Sequence, residues 1–213
     1  MLQDKLQAFK KQVYQDMPKE TTTKFDKQIQ ELRDMNFASQ GLKVGDTIPM
    51  FILNNAKDQK VSSKEILENN PIVINFYRGG WCPYCNLELR ALQQFLPEFE
   101  NLGTKLIAIS PEKPDNSMST VEKNELKFEV LTDTDNKLAR DFGIVFEFPE
   151  YLDEAYNGFG LDLKKHNNSK KVELPLPATY VVDQTGTIRY AFADEDYTMR
   201  ANPEDILEAL KGI

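Results

Sequence analysis

The segment that most constrains this chain runs from Pro71 to Glu100, PIVINFYRGGWCPYCNLELRALQQFLPEFE. Residues 71–77 are almost wholly apolar and read as a buried strand, and Gly79-Gly80 reads as a turn. Residues 86–100 then repeat apolar side chains every three or four positions, the period of an amphipathic helix. Strand followed at once by helix is the signature of an α/β layer. Both cysteines of the protein, Cys82 and Cys85, stand at that junction, and Pro83 between them suits the first turn of the helix.

The same rhythm continues. KLIAIS (105–110) and FEVLT (128–132) read as strands, and the stretch around Glu122 to Lys127 and DNKLARDFG (135–143) as helices, the latter capped by Gly143. ATYVV (178–182) and TIRYAFA (187–193), joined by DQTG, read as a β-hairpin. PEDILEALKGI reads as a closing helix with Pro203 in its first turn and Asn202 as its cap. Residues near 145–175 break the pattern with Pro149, Gly158, Gly160 and KKHNNSKK and read as an inserted excursion or loop. Residues 1–40 are polar and helical, with Leu2, Leu6, Phe9, Val13, Phe25, Ile29 and Leu32 in phase. They are expected to pack on the main domain or to form a homodimer with a partner subunit, and Gly41 ends them. The expected organisation is a helical extension over 1–40 and an α/β domain over 41–213.

At 213 residues the chain buries a sizeable core without a disulfide scaffold or a structural metal. Its 26 basic and 34 acidic side chains leave a net charge of -8, which disfavours nucleic acid as a partner. Charges scattered through the first twenty residues do not fit a signal peptide, and no later stretch is apolar enough to span a membrane. Two cysteines in such a chain suit a reducing compartment, so a cytoplasmic location is expected.

The WCPYC string carries the chemistry. Thiolate, not thiol, is the nucleophile, and lowering a thiol pKa from about 8.5 to about 7 raises its ionised fraction at neutral pH roughly fifteenfold. A helix N-terminus supplies about 0.3–1 kcal/mol toward this, so a hydrogen bond or a cation must help. Arg78 is the nearest cation in sequence. Two residues of separation let the second thiol close a disulfide on the first within one helical turn. A zinc site lacks ligands, since no further cysteine exists and the single histidine is the distant His166. Packed structural thiols and a structural disulfide are weaker alternatives. Trp81 either covers the thiols, as an aromatic at a partner-facing surface, or plugs the core. Glu88 and Arg90 read as the solvated face of the helix, and the acidic run ADEDY (193–197) as solvated carboxylates.

From Leu42 onward, VGDTIPMFIL, VINFYRGGWCPYC, LIAIS and LPATYVVDQTGTIRYAF resemble the alkyl hydroperoxide reductase and thiol-specific antioxidant family of peroxiredoxin-like proteins. The resemblance implies a thioredoxin fold, a central mixed β-sheet flanked by helices, with Pro177 as a cis proline lying against the active cysteines. In the family pattern PxxxTxxC, Cys85 falls at the peroxidatic position, Cys82 at the threonine and Arg78 at the proline, while the family's further arginine falls at Pro177. The implied activity is reduction of a hydroperoxide by Cys85, resolution by Cys82, and recharging by thioredoxin or a similar dithiol, with no cofactor. Two alternatives stay open: a thioredoxin- or glutaredoxin-like protein disulfide oxidoreductase with Cys82 as nucleophile, CPYC being a string that glutaredoxins carry, or a non-enzymatic redox-switch module that binds a partner through its N-terminal helices.

Overall fold

The computed structural model describes residues 1–167 and 169–213. Its strands are β1 (Ile52–Asn55), β2 (Lys60–Ser62), β3 (Ile72–Phe76), β4 (Lys105–Ser110), β5 (Glu129–Thr132), β6 (Val145–Glu147), β7 (Glu173–Pro175), β8 (Ala178–Val182) and β9 (Ile188–Ala193). Seven of them form one mixed sheet in the order β2-β1-β5-β4-β3-β8-β9. β3 lies parallel to β4 and antiparallel to β8, with Phe76 registered between Ile109 and Ala178. Every residue of β3 and β8 is buried, which is why both read as unbroken apolar runs rather than alternating ones.

The helices are α1 (Leu2–Asp16), α2 (Lys19–Asp34), α3 (Ser63–Leu67), α4 (Pro83–Asn101), α5 (Pro114–Asn124), α6 (Lys137–Asp141), α7 (Glu150–Gly158), α8 (Leu163–Asn167) and α9 (Pro203–Lys211). α4 starts three residues earlier than its apolar period suggests, because Pro83 occupies its first turn. It presents Cys85, Leu89, Leu92, Leu96 and Phe99 to the core. α5 begins at Pro114 and closes at Glu125, which takes the left-handed conformation (φ 52°), so the stretch read as a helix from 122 is its end. The hairpin of β8 and β9 forms as expected, its turn closed by Gly186 at φ 83°. Gly143 ends α6 with φ 71°, where a Cβ would stand 2.7 Å from the Gln40 carbonyl. Asn202 does cap α9 in position, although its side chain makes no capping bond.

Two segments are more ordered than the sequence suggested. The excursion is not a loop: β6 and β7 pair antiparallel into a two-stranded ribbon, with α7 and α8 between them. The N-terminal segment breaks at Pro18 into α1 and α2, which fold back on the same chain. Leu2, Leu6, Phe25, Ile29 and Leu32 are buried in the common core. Polar ties fix the segment to the stretch before α9: Lys10 Nζ meets Asp196 at 2.6 Å, Gln3 donates to the Arg200 carbonyl at 2.8 Å, and the Ala38 amide donates to Glu195 at 2.9 Å. The acidic run read as solvated is therefore partly a clasp for the N-terminal helices.

The turn between β3 and α4 packs closely against α5. A Cβ on Gly80 would stand 2.0 Å from Oγ1 of the buried Thr120. Gly80→Ala is expected to destabilise the protein by about 1–3 kcal/mol through overpacking. Adding Thr120→Ala should recover most of that loss in urea unfolding, and additive destabilisation by the two substitutions would show the contact is not the cause.

Candidate active site

The chain leaves β3 at its carboxyl end and reaches the cysteines through Tyr77, Arg78 and the two glycines. Gly79 has φ 149°, a conformation that L side chains rarely adopt, and a Cβ there would strike the Trp81 ring at 2.3 Å. The Cys82 amide donates to the Gly79 carbonyl at 3.0 Å, and the Asn86 amide donates to the Cys82 carbonyl at 3.1 Å. The Asn86 side chain donates to the Gly80 carbonyl at 2.8 Å and is itself held by Asn124 at 2.8 Å. Cys82 thus becomes the N-cap of α4, with Pro83 and Tyr84 following and Cys85 one turn in. Both sulfurs are free thiols, 1% and 0% exposed.

Two buried guanidiniums flank them. Arg200 Nη2 donates to Cys85 Sγ at 3.3 Å, while its Nε forms an ion pair with Glu88 at 2.6 Å. Arg200 also donates to the carbonyls of Tyr197 and Met199. Arg78 comes from the other side: its Nη2 donates to Tyr156 Oη at 3.2 Å, and its guanidinium carbon lies 4.9 Å from the Trp81 ring centre and 4.5 Å from that of Tyr197. These charges separate the two thiols. Burial penalises the Cys82 thiolate, but hydrogen bonding from Cys85 and the fields of Arg78 and Arg200 outweigh it and bring the pKa down to about 6. For Cys85, burial and the bond to Cys82 push the pKa up, with Arg200 opposing.

A pocket of about 370 Å³ opens over this arrangement, and Cys82, not Cys85, lines it. Its walls are aromatic and aliphatic: Phe9 and Val13 from α1, Phe25 from α2, Tyr156 from α7, with Trp81 and Tyr197 beside Arg78. Phe25 packs edge-on against both Tyr156 and Tyr197 with ring centres 6.2 Å apart in each case. The elements that the sequence placed at the periphery therefore form the mouth of the site. Trp81 serves both readings made of it, lining the pocket and packing against Tyr156 at 5.6 Å.

The remaining expectations fare unevenly. Pro177 is buried between β7 and β8, but no cis peptide bond exists among the described residues, and Pro177 does not line the pocket. The guanidinium absent from that position is supplied at Cys85 by Arg200. Arg90 is exposed, as expected for the solvated face, and bonds Asn124 at 2.7 Å. Glu88 is the correction: it is 1% exposed, accepts from Asn75 at 2.9 Å, and its pKa is pushed up to about 7, by burial first, against the Arg200 charge. One turn after Cys85, it shares the core-facing stripe of α4, a phase readable in the sequence. Arg200, in a short polar stretch, gave no such signal. His166, distant in sequence, bonds Glu112 at 3.0 Å, and Glu112 accepts from the Gly80 amide at 2.9 Å. Among the described residues no group of side chains is arranged to hold a metal ion.

A mixed sheet with a dithiol at the start of the helix leaving its central strand defines a thioredoxin-fold, peroxiredoxin-like protein. The chain belongs to the AhpC/TSA family, whose profile matches residues 44–191. It is 26% identical over 172 residues to the putative peroxiredoxin bcp of Haemophilus influenzae, covering 81% of this chain and 98% of that one. It is 25% identical to peroxiredoxin Bcp of Escherichia coli, over 72% of this chain and 86% of the other. The crystal structure of peroxidoxin BcpB from Mycobacterium tuberculosis superposes with a TM-score of 0.64 at 18% identity, covering 81% of this chain and 98% of that chain. No described helix is long and apolar enough to cross a membrane.

Glu112 yields a stability prediction. Burial raises its pKa to about 7, with the Gly80 amide opposing, so its contribution is present below its ordinary value and lost as pH rises through about 7. Glu112→Gln keeps an acceptor for Gly80 and removes the titration. Urea unfolding is expected to show the variant gaining on wild type between about pH 4.5 and pH 7, and level beyond. Parallel pH profiles would mean that Glu112 does not titrate in that window.

Proposed function

We propose that this protein reduces hydroperoxides through a Cys82/Cys85 dithiol–disulfide cycle in which Cys82 attacks first. The observation that carries the reading is that Cys82 is the sulfur lining the pocket, favoured as thiolate by two buried guanidiniums, while Cys85 lies behind it against Arg200. This order reverses the one implied by aligning Cys85 with the peroxidatic position.

The Cys82 thiolate attacks one oxygen of the O–O bond. That bond breaks, its electron pair leaves on the other oxygen, and the resulting alkoxide or hydroxide takes up a proton. Arg78, which lines the pocket and has two nitrogens without a hydrogen-bond partner, orients the peroxide and stabilises the charge that develops on the leaving oxygen. Cys85 then attacks the Cys82 sulfenic sulfur. Hydroxide departs with the Cys85 proton as water, and Arg200 stabilises the negative charge that Cys85 carries in that step. The sulfurs stand within one helical turn, so α4 need not unfold for the disulfide to close. A thioredoxin-type dithiol returns the two electrons. Trp81 and Pro83, beside the pocket and at the exposed rim of the helix, form the surface such a reductant meets.

Sulfenic acid trapping with mass spectrometry tests the order. After one equivalent of hydroperoxide, Cys85→Ser is expected to hold sulfenate on Cys82 and to keep the fast oxidation phase. Cys82→Ser should slow oxidation by about 100-fold or more. Sulfenate on Cys85 in Cys82→Ser, formed at the wild-type rate, would restore the order implied by alignment.

Removing the cation gives a second measurement. Arg78→Met is expected to raise the Cys82 pKa, followed by thiolate absorbance, and to slow peroxide oxidation by about 10- to 100-fold. An unchanged pKa and rate would remove Arg78 from the mechanism. A second reading is favoured by Cys85 and Cys82 standing where the family pattern has cysteine and threonine: the same Cys82 thiolate would attack a disulfide as a thiol–disulfide oxidoreductase. Rapid turnover of disulfides with only ordinary thiol reactivity toward peroxide would establish it.

A further inference from the structure

Arg78 is 1% exposed and lines the pocket over Cys82, yet its Nε and Nη1 have no hydrogen-bond partner and it pairs with no carboxylate among the described residues. Arg200, by contrast, has Glu88 at 2.6 Å. A buried cation without a counterion is unfavourable, and aromatic faces with one tyrosine hydroxyl offset only part of the cost. The group beside Arg78 in the same pocket whose negative form its charge favours is Cys82, as the thiolate of the reduced protein. When the two thiols become a disulfide, two electrons leave with the oxidant, both sulfurs become neutral, and Arg78 alone loses its balancing charge.

We propose that disulfide formation converts this pocket into a binding site for a small monoanion with an apolar body, a carboxylate or sulfonate. Its oxyanion takes the unpartnered Nη1 of Arg78 together with the second hydrogen of Nη2 on the same edge, and its body lies against Phe9, Phe25 and Tyr84. The planar guanidinium presents two donors at the spacing of two oxygens of one oxyanion. The walls fit an alkyl chain rather than a second charge: the pocket has no other charged side chain. In the reduced protein the thiolate occupies the same electrostatic role, so a second anion is repelled. Such a ligand favours the oxidised state and competes with the reductant's thiolate, itself an incoming anion. The inference rests on the Cys82/Cys85 pair cycling to a disulfide, not on peroxide being the oxidant.

The test uses 1-hexanesulfonate, ionised at any working pH, and neutral 1-hexanol as the control. Each is titrated calorimetrically into protein oxidised with diamide, which takes the two electrons and two protons, and into protein kept reduced, both at about pH 8. Trp81, the single tryptophan of the chain and part of the pocket wall, gives an independent fluorescence reading. Hexanesulfonate is expected to bind the oxidised form at least about tenfold more tightly than the reduced form, while hexanol does not distinguish them. Arg78→Gln should abolish the difference. Equal affinity of hexanesulfonate in both redox states, or the same discrimination by hexanol, would overturn the proposal without any variant, should Arg78→Gln fail to fold. A peroxidase reading that fails shows instead as slow sulfenate formation, which leaves this difference in binding intact.

Discussion

The arrangement of this site depends on a charge balance held almost entirely out of water. Arg78 and Arg200 are each 1% exposed, and the groups that answer them are Glu88 and the Cys82 sulfur, whose thiolate form the two charges favour. In a medium of low effective dielectric a single proton matters far more than at a surface. Arg200 and Glu88 form a closed pair whose position is fixed by carbonyls of its own loop and by Asn75. Arg78 is left open, and against the cost of burial the hydrogen bond from Cys85 and the charges of Arg78 and Arg200 together favour Cys82 as the thiolate. The helix start contributes in the same direction, but its typical magnitude is too small to do this alone.

That balance requires walls, and several of them come from the N-terminal helices, outside the family match, and from the excursion within it. The profile match begins at residue 44, so α1 and α2, which supply Phe9, Val13 and Phe25, lie before it. α7, inside the excursion, supplies Tyr156, whose hydroxyl accepts a hydrogen bond from the Arg78 guanidinium. The ties through Lys10 and Glu195 bring α1 and the short turn after α2 against the segment that also carries Tyr197 and Arg200. The apolar wall of the pocket and the placement of Arg78 and Arg200 thus rest on the same contacts.

What the sequence made legible follows from how far each signal reaches. β3, α4 and the hairpin were readable because burial period and turn chemistry are local, and WCPYC was readable because two cysteines at that spacing carry a function by themselves. Glu88 was misread because a charged residue was assigned to solvent by type, although its phase with Cys85 and Leu92 put it on the buried stripe. Arg200 lies more than a hundred positions from the sulfur it touches, in a stretch whose composition resembles any exposed loop. The excursion looked like a loop because Pro149, Gly158, Gly160 and the polar run KKHNNSKK interrupt its periodicity. Its short helices are held by tertiary packing of Leu152 and Leu163 rather than by propensity.

The departures from the family pattern also change what must move. A resolving sulfur far from the attacking one would require local unfolding before a disulfide could form. Here Cys85 sits one turn behind Cys82 on the same helix, and the Asn86 and Asn124 bonds that fix the turn need not break. On the proposed cycle the change between the two redox states is one of charge, because the pocket loses its anion while Arg78 stays positive. A site built in this way reports its oxidation state through electrostatics at Arg78, at the mouth where substrate and reductant must both arrive.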